Sequence, residues 1–281
     1  MKNEHCAWVT LFDDIFNHEK YIYHYTNVEI ATKIIYNQSL KFSKINKTND
    51  TLEAKPRIGN GVIDNKFIKQ FKNLRENFLQ LLCFSSDNFL KDEESDFKVS
   101  EIMKYSDYSG RGFALPRMWA QYADNSSGVC LIFDKEVLLS LIKKQLGDAL
   151  IHCGRVCYKS QFQIYNSIDD FNEIAKVINE DIKNHRGKSI GSYFLKNHID
   201  FVEYCYFTKL NDWYSEHEYR ILAFDKNDLY IENIIDSLVG IVVGERMENS
   251  DFEILNYFAN KYTDIKKINF SFNGCGLENM N

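Results

Sequence analysis

Two glutamates in the C-terminal half of the chain are spaced for shared chemistry. Glu216 and Glu218 lie two residues apart in the segment WYSEHEYR, which ends at Arg220. If the segment is a strand, both carboxylates project from one face, because side chains alternate along a strand. Their repulsion then requires a nearby cation or a substrate hydroxyl, or one pKa rises. The pair is a candidate catalytic centre; the alternative is a solvated face on which Arg220 neutralises Glu218.

A histidine near the start of the chain is the second candidate. His24, Tyr25 and Thr26 end the aromatic segment KYIYHYT, which is bounded by polar residues and is typical of a strand. A histidine at a strand end can bind a ligand. The alternative is a surface histidine, or a core histidine whose ring bonds to the backbone.

Two further segments carry polar or aromatic side chains that could face a ligand. The apolar run LLCFS predicts a buried strand that ends in the hydroxyl of Ser85. Arg117–Ala123 predicts a short helix, on which Trp119 and Tyr122 are i, i+3 neighbours on one face. Such an aromatic pair is either a stacking platform for a ligand or ordinary core packing.

Common metal and phosphate motifs do not fit the sequence. His152, Cys153 and Cys157 form an incomplete set of zinc ligands, and no second Cys or His pair completes it. On a strand the two cysteines lie about 13 Å apart at ~3.3 Å per residue, too far for one zinc ion. The glycines fit neither phosphate-binding loop pattern, and no GxSxG nucleophile elbow occurs. We therefore predict no metal site and buried thiols.

Composition narrows the class of protein. The 281 residues are 44% hydrophobic and 26% charged, which excludes a disordered chain, and the net charge of −6 provides no overall positive field for nucleic acid. The longest apolar stretch, Leu238–Val243, is far shorter than the ~20 residues of a membrane helix. The N-terminal residues lack the apolar core of a signal peptide, so the seven cysteines are expected to be reduced thiols in the cytoplasm. No membrane partner is expected.

The order of predicted elements indicates a single α+β domain over residues 1–281, with mixed or antiparallel sheets and flanking helices. Residues 87–115 show little periodicity and predict an insertion that forms a mobile surface flap beside the site. The principal predicted strands and helices are Lys20–Thr26, a helix on apolar positions 30 to 35, a helix over 64–81, Leu81–Ser85, Gly128–Asp134, a helix over 135–146, Ile151–Lys159, Glu203–Lys209, Glu218–Phe224, Ile234–Val243 and a helix over 250–262.

These motifs, taken in order, resemble the DUF2971 family. The resemblance runs from about residue 20 to residue 245 and departs from the family in two places: the family usually has NDPFE where this chain has NDTLE, and Gln121 replaces its usual His. The segments that carry it are YHYT, NDxxE ending at Glu53, CFS, MWAxYA, GVCLxFD and K…W..E.EYR, which begins at Lys209.

A second resemblance, of about a dozen residues, is to the ADP-ribosyltransferases. It consists of an early strand-borne H-x-T, a middle strand ending in Ser and a late Glu, which here are His24 with Thr26, Ser85 and Glu218. The resemblance implies an ADP-ribosyltransferase-like fold with NAD as substrate, Glu218 supporting an oxocarbenium-like transition state and Glu216 handling the acceptor. His24 would hold the ribose, and the other residues implied to contact NAD are Tyr25, Thr26, Ser85, Trp119, Tyr122 and Arg220.

Together the two resemblances imply an ADP-ribosyltransferase whose acceptor is an unidentified protein, nucleic acid or nucleotide. They also imply a role as a bacterial toxin or in antiviral defence. Two alternatives stay open at this point. One is a non-catalytic module that binds a nucleotide or a partner through the same fold. The other is a metal-dependent nuclease that uses Glu53, Glu216, Glu218 and His24.

Overall fold

The fold is built around one mixed sheet of nine strands with helices packed against it. The computed structural model describes residues 20–50, 65–87, 108, 110–147, 150–166, 176–177, 180, 190–225, 227–271 and 274–280. The strands are β1 Tyr21–Thr26, β2 Ser39–Lys41, β3 Ser43–Lys44, β4 Leu79–Ser86, β5 Val129–Asp134, β6 Ile151–Arg155, β7 Cys157–Lys159, β8 Thr208–Leu210, β9 Glu218–Phe224, β10 Tyr230–Glu232, β11 Leu238–Val243, β12 Ile265–Ser271 and β13 Gly274–Asn279. The helices are α1 Val28–Asn37, α2 Asn65–Phe78, α3 Pro116–Tyr122, α4 Lys135–Leu146, α5 Gln161–Asn166, α6 Ile190–Asn197, α7 Ile199–Tyr206 and α8 Asn249–Ala259. The predicted α+β class with a mixed sheet is confirmed.

The order of strands in the large sheet is β13-β12-β11-β5-β1-β4-β9-β6, and β3 adds to β4 beside this path. Strands β11 and β12 run parallel, and the other neighbours in this sheet pair antiparallel. Two small sheets join β10 to β2 and β7 to β8. Strands β1, β4 and β9, which carry the predicted His24, Ser85 and Glu218, are therefore adjacent near the middle of the sheet.

The two faces of the sheet are packed differently. One face carries a continuous apolar core, which includes Ile22, Phe84 and Ile221. The other face carries two separate cores, one around Tyr23 and Trp119 and the other formed by β9 and α7 side chains. Continuing the β9 side-chain row past Leu222 leads to Arg220 and Glu218, so the row changes from apolar to charged as it approaches the site.

Local sequence explains the first turn after β1. Asn27 caps α1, because its side-chain oxygen accepts a hydrogen bond of 2.8 Å from the Ile30 N–H. The buried residues of α1 are Ala31, Ile34 and Ile35, which confirms the predicted helix, whereas Ile30 of the predicted apolar face is exposed. Gln38 then takes a left-handed conformation and ends the helix.

Two predicted strands are wrong in part. Glu203–Tyr206 belongs to α7, because Phe201, Val202, Cys205 and Tyr206 pack at helical spacing into the core below β9, so that only Thr208–Leu210 is extended. The predicted strand Ile151–Lys159 is broken at Val156 into β6, which pairs with β9, and β7, which pairs with β8.

The predicted surface flap is wrong at both of its ends. Asp87 follows β4 and is buried, where it binds the buried Arg111 through a 2.9 Å ion pair. Phe113 is buried as well, and its carbonyl accepts a hydrogen bond from the Trp119 indole. The ends of the segment are therefore part of the core; residues 88–107 lie outside the described residues.

Candidate functional site

The candidate site lies where β1 and β4 separate. In the described part of the chain, strands β1 and β4 pair only at Ile22↔Ser86 and Tyr23↔Ser85. Towards the start of β4, its partner is β3, at Ser43↔Leu81. A cavity of about 280 Å³ lies at this fork. Its lining includes Tyr23, His24, Tyr25, Lys41, Ser43, Lys47, Thr48, Asn49, Cys83, Ser85, Met118, Tyr122, Lys209, Glu216 and Glu218.

Ser85 lies at the centre of this arrangement. It is the register partner of Tyr23 on β1 and of Glu218 on β9. Its side chain is 1% exposed, and its hydroxyl has no hydrogen-bond partner in the described part of the chain. Because buried hydroxyls normally find a partner, this oxygen is available to a ligand or a water molecule in the cavity.

The two glutamates meet through a turn rather than along a strand, which corrects the predicted geometry. Glu216 ends the 3-10 turn Asn211–Glu216, His217 is left-handed at φ 45°, and β9 starts at Glu218. Both the N–H and the hydroxyl of Ser86 donate to the His217 carbonyl, at 2.9 and 2.7 Å. These two bonds hold the reversed backbone that brings the carboxylates together.

The carboxylates share one cation. The Lys209 ammonium lies 2.9 Å from Oε2 of Glu216 and 2.8 Å from Oε2 of Glu218. Arg220 donates to both oxygens of Glu218, at 2.7 and 2.8 Å, and Tyr122 donates to Oε1 of Glu216 at 2.5 Å. The result is a buried network of two carboxylates and two cations, with the carboxylates at the cavity wall.

The electrostatics keep Glu218 ionised. Burial by itself would raise the pKa of its carboxyl group, but the charges of Arg220 and Lys209, with hydrogen bonds from Arg220 and Cys83, outweigh burial and lower the pKa to about 2. The Tyr122 hydroxyl shifts in the opposite direction: burial, followed by the charge of Glu216, raises its pKa. Near neutral pH the site therefore holds a carboxylate beside a protonated phenol.

His24 reaches the cavity from the other face of the sheet. Its ring packs at 5.7 Å from that of Phe84, and Nδ1 lies 3.2 Å from the Cys83 carbonyl. Burial lowers its pKa, although the bond to this carbonyl acts in the opposite sense. A neutral ring that donates from Nδ1 to the carbonyl leaves Nε2 as an acceptor. A single catalytic site would be expected to draw His24 and Glu218 from one face of the sheet; they come instead from opposite faces, and both line the cavity at the fork.

Three residues predicted to contact NAD do not line the cavity. The Arg220 guanidinium is 1% exposed and is used by Glu218 and the Tyr206 carbonyl. Trp119 is fully buried, edge-on to Tyr25, and is therefore core packing and not a stacking platform. Thr26 pairs with Val129 at the end of β1.

Tyr25 does border the cavity, but its hydroxyl donates to the Gly112 carbonyl at 2.7 Å. The structure thus brings His24, Tyr25, Ser85, Tyr122 and both glutamates to one cavity, and their roles stay predictions.

Several cavity residues had no role in the sequence analysis. Lys209 begins the segment K…W..E.EYR. Because lysine is usually exposed, the sequence gives no indication that Lys209 is the partner of both glutamates. Lys41 lies on β2 and Lys47 in the turn after β3, at least 162 residues before Lys209, and both line the cavity. Because this proximity depends on contacts between distant parts of the chain, no local pattern predicts it. Asn49 also lines the cavity.

The described residues contain no group of three or more His, Cys, Asp or Glu side chains placed to hold a metal ion. Glu53, which the nuclease alternative requires, lies outside them. In the same part of the chain, no helix combines the length and the apolar character that crossing a bilayer would need.

The fold and site define an α+β protein with a buried charge network at a forked sheet. Residues 118–221 match the family model DUF2971, described as a protein of unknown function, and confirm the predicted relationship over this stretch. The match contains Tyr122, Lys209 and both glutamates, whereas His24 and Ser85 lie before it. Searches of curated proteins and of solved structures give no match.

Proposed function

We propose that this protein binds NAD in the cavity at the fork and transfers its ADP-ribose group to an acceptor. The observation that carries the proposal is the adjacency of β1, β4 and β9, which brings His24, Ser85 and Glu218 to one cavity. These are the three positions on which the resemblance to ADP-ribosyltransferases rests. An ADP-ribosyltransferase-like fold is part of the same proposal.

The chemistry requires a carboxylate where positive charge develops. When the bond between nicotinamide and ribose C1′ breaks, its electron pair leaves with the nicotinamide nitrogen and the sugar becomes oxocarbenium-like. The Glu218 carboxylate, ionised and 4% exposed, stabilises that charge. An acceptor nucleophile then attacks C1′ and loses its proton, and Glu216 lies beside Glu218 to receive it.

The neighbouring polar groups suit a sugar. Nε2 of neutral His24 accepts a hydrogen bond from a ribose hydroxyl, and the Ser85 hydroxyl supplies a second, unused group. Lys41 and Lys47 on the cavity lining suit the diphosphate, since lysine is a common phosphate partner. The cavity volume of about 280 Å³ lies just below the usual range of small-molecule pockets, about 300 to 1,000 Å³.

One observation favours a second candidate, a non-catalytic nucleotide-binding module. Arg220 binds both oxygens of Glu218, and Lys209 binds one of them, so two cations offset the charge that catalysis would use. In this function the same cavity binds the ligand and leaves it intact.

The experiment that tests the proposal is incubation of the protein with NAD labelled in the nicotinamide ring, with free nicotinamide measured by chromatography and NAD binding measured by calorimetry. Release that depends on Glu218 supports the transferase. Binding without release, with or without added cell extract as a source of acceptor, supports the module. Absence of binding contradicts both.

The acceptor and biological setting extend the proposal. A protein, a nucleic acid or a free nucleotide could serve as acceptor, and the net charge of −6 disfavours a long nucleic acid, whose phosphates normally pair with Lys or Arg. A toxin or antiviral defence role fits a protein that consumes NAD.

A further inference from the structure

One buried lysine holds both glutamates of the site. Lys209 lies on β8, where it is 5% exposed. Its ammonium group is within 2.9 Å of Glu216 and 2.8 Å of Glu218. Burying a lysine is costly unless its charge is paired, and here it meets two carboxylates that would otherwise repel one another.

The two glutamates depend on Lys209 to different degrees. Glu218 also binds Arg220 through two hydrogen bonds, so it keeps a cation when Lys209 is removed. Among the described contacts of Glu216, the partners are the neutral Tyr122 hydroxyl and Lys209. Lys209 therefore supplies the positive charge of Glu216 and the bridge between the two carboxylates.

The surroundings fix the ammonium in place. The Trp213 ring lies 5.4 Å from it, in range of a cation–π contact, and the Arg117 guanidinium lies 5.5 Å from the same ring. Strand β8 pairs with β7, whose Tyr158 hydroxyl accepts a hydrogen bond from the Glu218 N–H. The chain thus encloses Lys209 from β7, from α3 and from the turn that carries Glu216.

We propose that Lys209 is the positioning residue of this cavity: its ammonium group sets the spacing of Glu216 and Glu218 and offsets their repulsion. Its catalytic consequence rests on the proposed transferase function, whereas its effect on the two carboxylates does not. The groups that face the pair are Lys209 from β8, Arg220 from β9, Tyr122 from α3, Tyr158 from β7 and Cys83 from β4.

The first test needs no activity. Protein labelled with ¹³C at glutamate Cδ is titrated by NMR, and the signal of Glu218 is assigned with the Glu218→Gln variant. Lys209→Met should move the titration of Glu218 to higher pH, because one of its two cations is lost while Arg220 remains. Lys209→Arg should restore it, and Lys33→Met, which removes an exposed lysine paired with Glu29 on α1, should leave it unchanged.

The second test measures nicotinamide release across pH. Lys209→Met should lower kcat by about 10²-fold and move the acid limb of the profile to higher pH, with KM for NAD little changed. Lys209→Arg should recover most of the rate.

The outcomes separate the two proposals. An unchanged Glu218 titration in Lys209→Met would overturn the positioning role, as would normal release by that variant. If the wild-type protein releases no nicotinamide, the transferase proposal fails while the NMR titration still decides whether Lys209 positions the pair. If Lys209→Met does not fold, Lys209→Gln, which also removes the charge, carries the same test, and a Glu218 titration moved to higher pH without loss of unfolding free energy supports the role.

Discussion

The molecule contains two buried charge networks that differ in what they border. In one, Asp87 binds the Arg111 guanidinium at 2.9 Å and the Gly112 N–H at 2.8 Å, and neither side chain lines the cavity. In the other, Lys209 and Arg220 hold Glu216 and Glu218 at the cavity wall. Both networks are nearly inaccessible to solvent. A buried ion pair therefore does not by itself indicate a functional site. A cavity beside the ion pair does.

The net pKa shifts of the two carboxyl groups also have opposite directions, although burial acts to raise both. Burial raises the pKa of Asp87 even though Arg111 acts against it. For Glu218, two cations outweigh burial and the pKa falls to about 2. The Asp87–Arg111 network holds the segment before α3 against the end of β4. The network around Lys209 keeps the Glu218 carboxylate ionised at the cavity wall.

The largest expected effect is on catalysis. Glu218→Gln should lower nicotinamide release per folded molecule by about 10² to 10³-fold, because the amide cannot stabilise the developing charge. The similar shape of Gln and Glu would by itself leave the melting temperature unchanged. The two hydrogen bonds from Arg220 to Glu218 instead predict a loss of about 3 kcal/mol in unfolding free energy, because the buried Arg220 cation loses its charged partner. Release is therefore normalised to the folded fraction from urea unfolding. Activity that falls only with that fraction would make Glu218 a structural residue.

The matched control is Asp87→Asn in the other network. It should cost less unfolding free energy than Glu218→Gln: Arg111 loses its carboxylate, but burial already disfavours the ionised form of Asp87. Release per folded molecule should stay within about twofold of wild type, since Asp87 does not line the cavity. A large loss of specific activity here would remove the contrast between the two networks.

The pH dependence of stability should have opposite signs in the two networks. Glu218 binds a proton more weakly when folded, so its contribution is present above its ordinary pKa of 4.5 and is lost as pH falls towards about 2. Asp87 binds a proton more tightly when folded, so its contribution falls as pH rises above 3.8. Urea unfolding of each neutral variant against wild type between pH 2 and 6 measures both slopes; equal signs would contradict the assigned electrostatics.

A smaller effect separates roles of the two glutamates. Glu216→Gln should reduce transfer to the acceptor while slow NAD hydrolysis continues, because Glu218 keeps Arg220. Labelled ADP-ribose on the acceptor and free ADP-ribose are measured in one reaction. Equal loss of both products would show that the carboxylates act as one unit.

The smallest effect is expected at Ser85. Its hydroxyl has no partner in the described part of the chain, so Ser85→Ala should change unfolding free energy by less than about 1 kcal/mol. If the hydroxyl bonds to NAD, affinity measured by calorimetry should fall by about fivefold. Unchanged affinity would remove Ser85 from the binding site.

Much of the fold was predictable because it depends on local patterns. The β1 segment, the capped α1 and the buried β5 follow directly from an aromatic segment, helical spacing with cap chemistry, and a continuous apolar run. The α7 helix was missed because its aromatic residues favour a strand locally, and packing below β9 decided otherwise. The prediction was wrong at the ends of the insertion because Asp87 and Arg111 are buried only as an ion pair with one another, and the sequence does not show that they meet.

The site was predictable in its types of residue and not in its connections. His24, Ser85, Tyr122 and the glutamates reach one cavity, although the left-handed turn at His217, rather than strand alternation, aligns Glu216 with Glu218. The role of Lys209 and the burial of Arg220 depend on contacts across β8, β9 and α7 that no spacing in the sequence encodes.

The most direct test of the central claim is a crystal structure of the protein with NAD. We predict that the nicotinamide ribose lies at the fork, with C1′ beside the Glu218 carboxylate and a ribose hydroxyl bonded to Nε2 of His24. NAD bound away from the fork, or a cavity without NAD in crystals saturated with it, would contradict the claim.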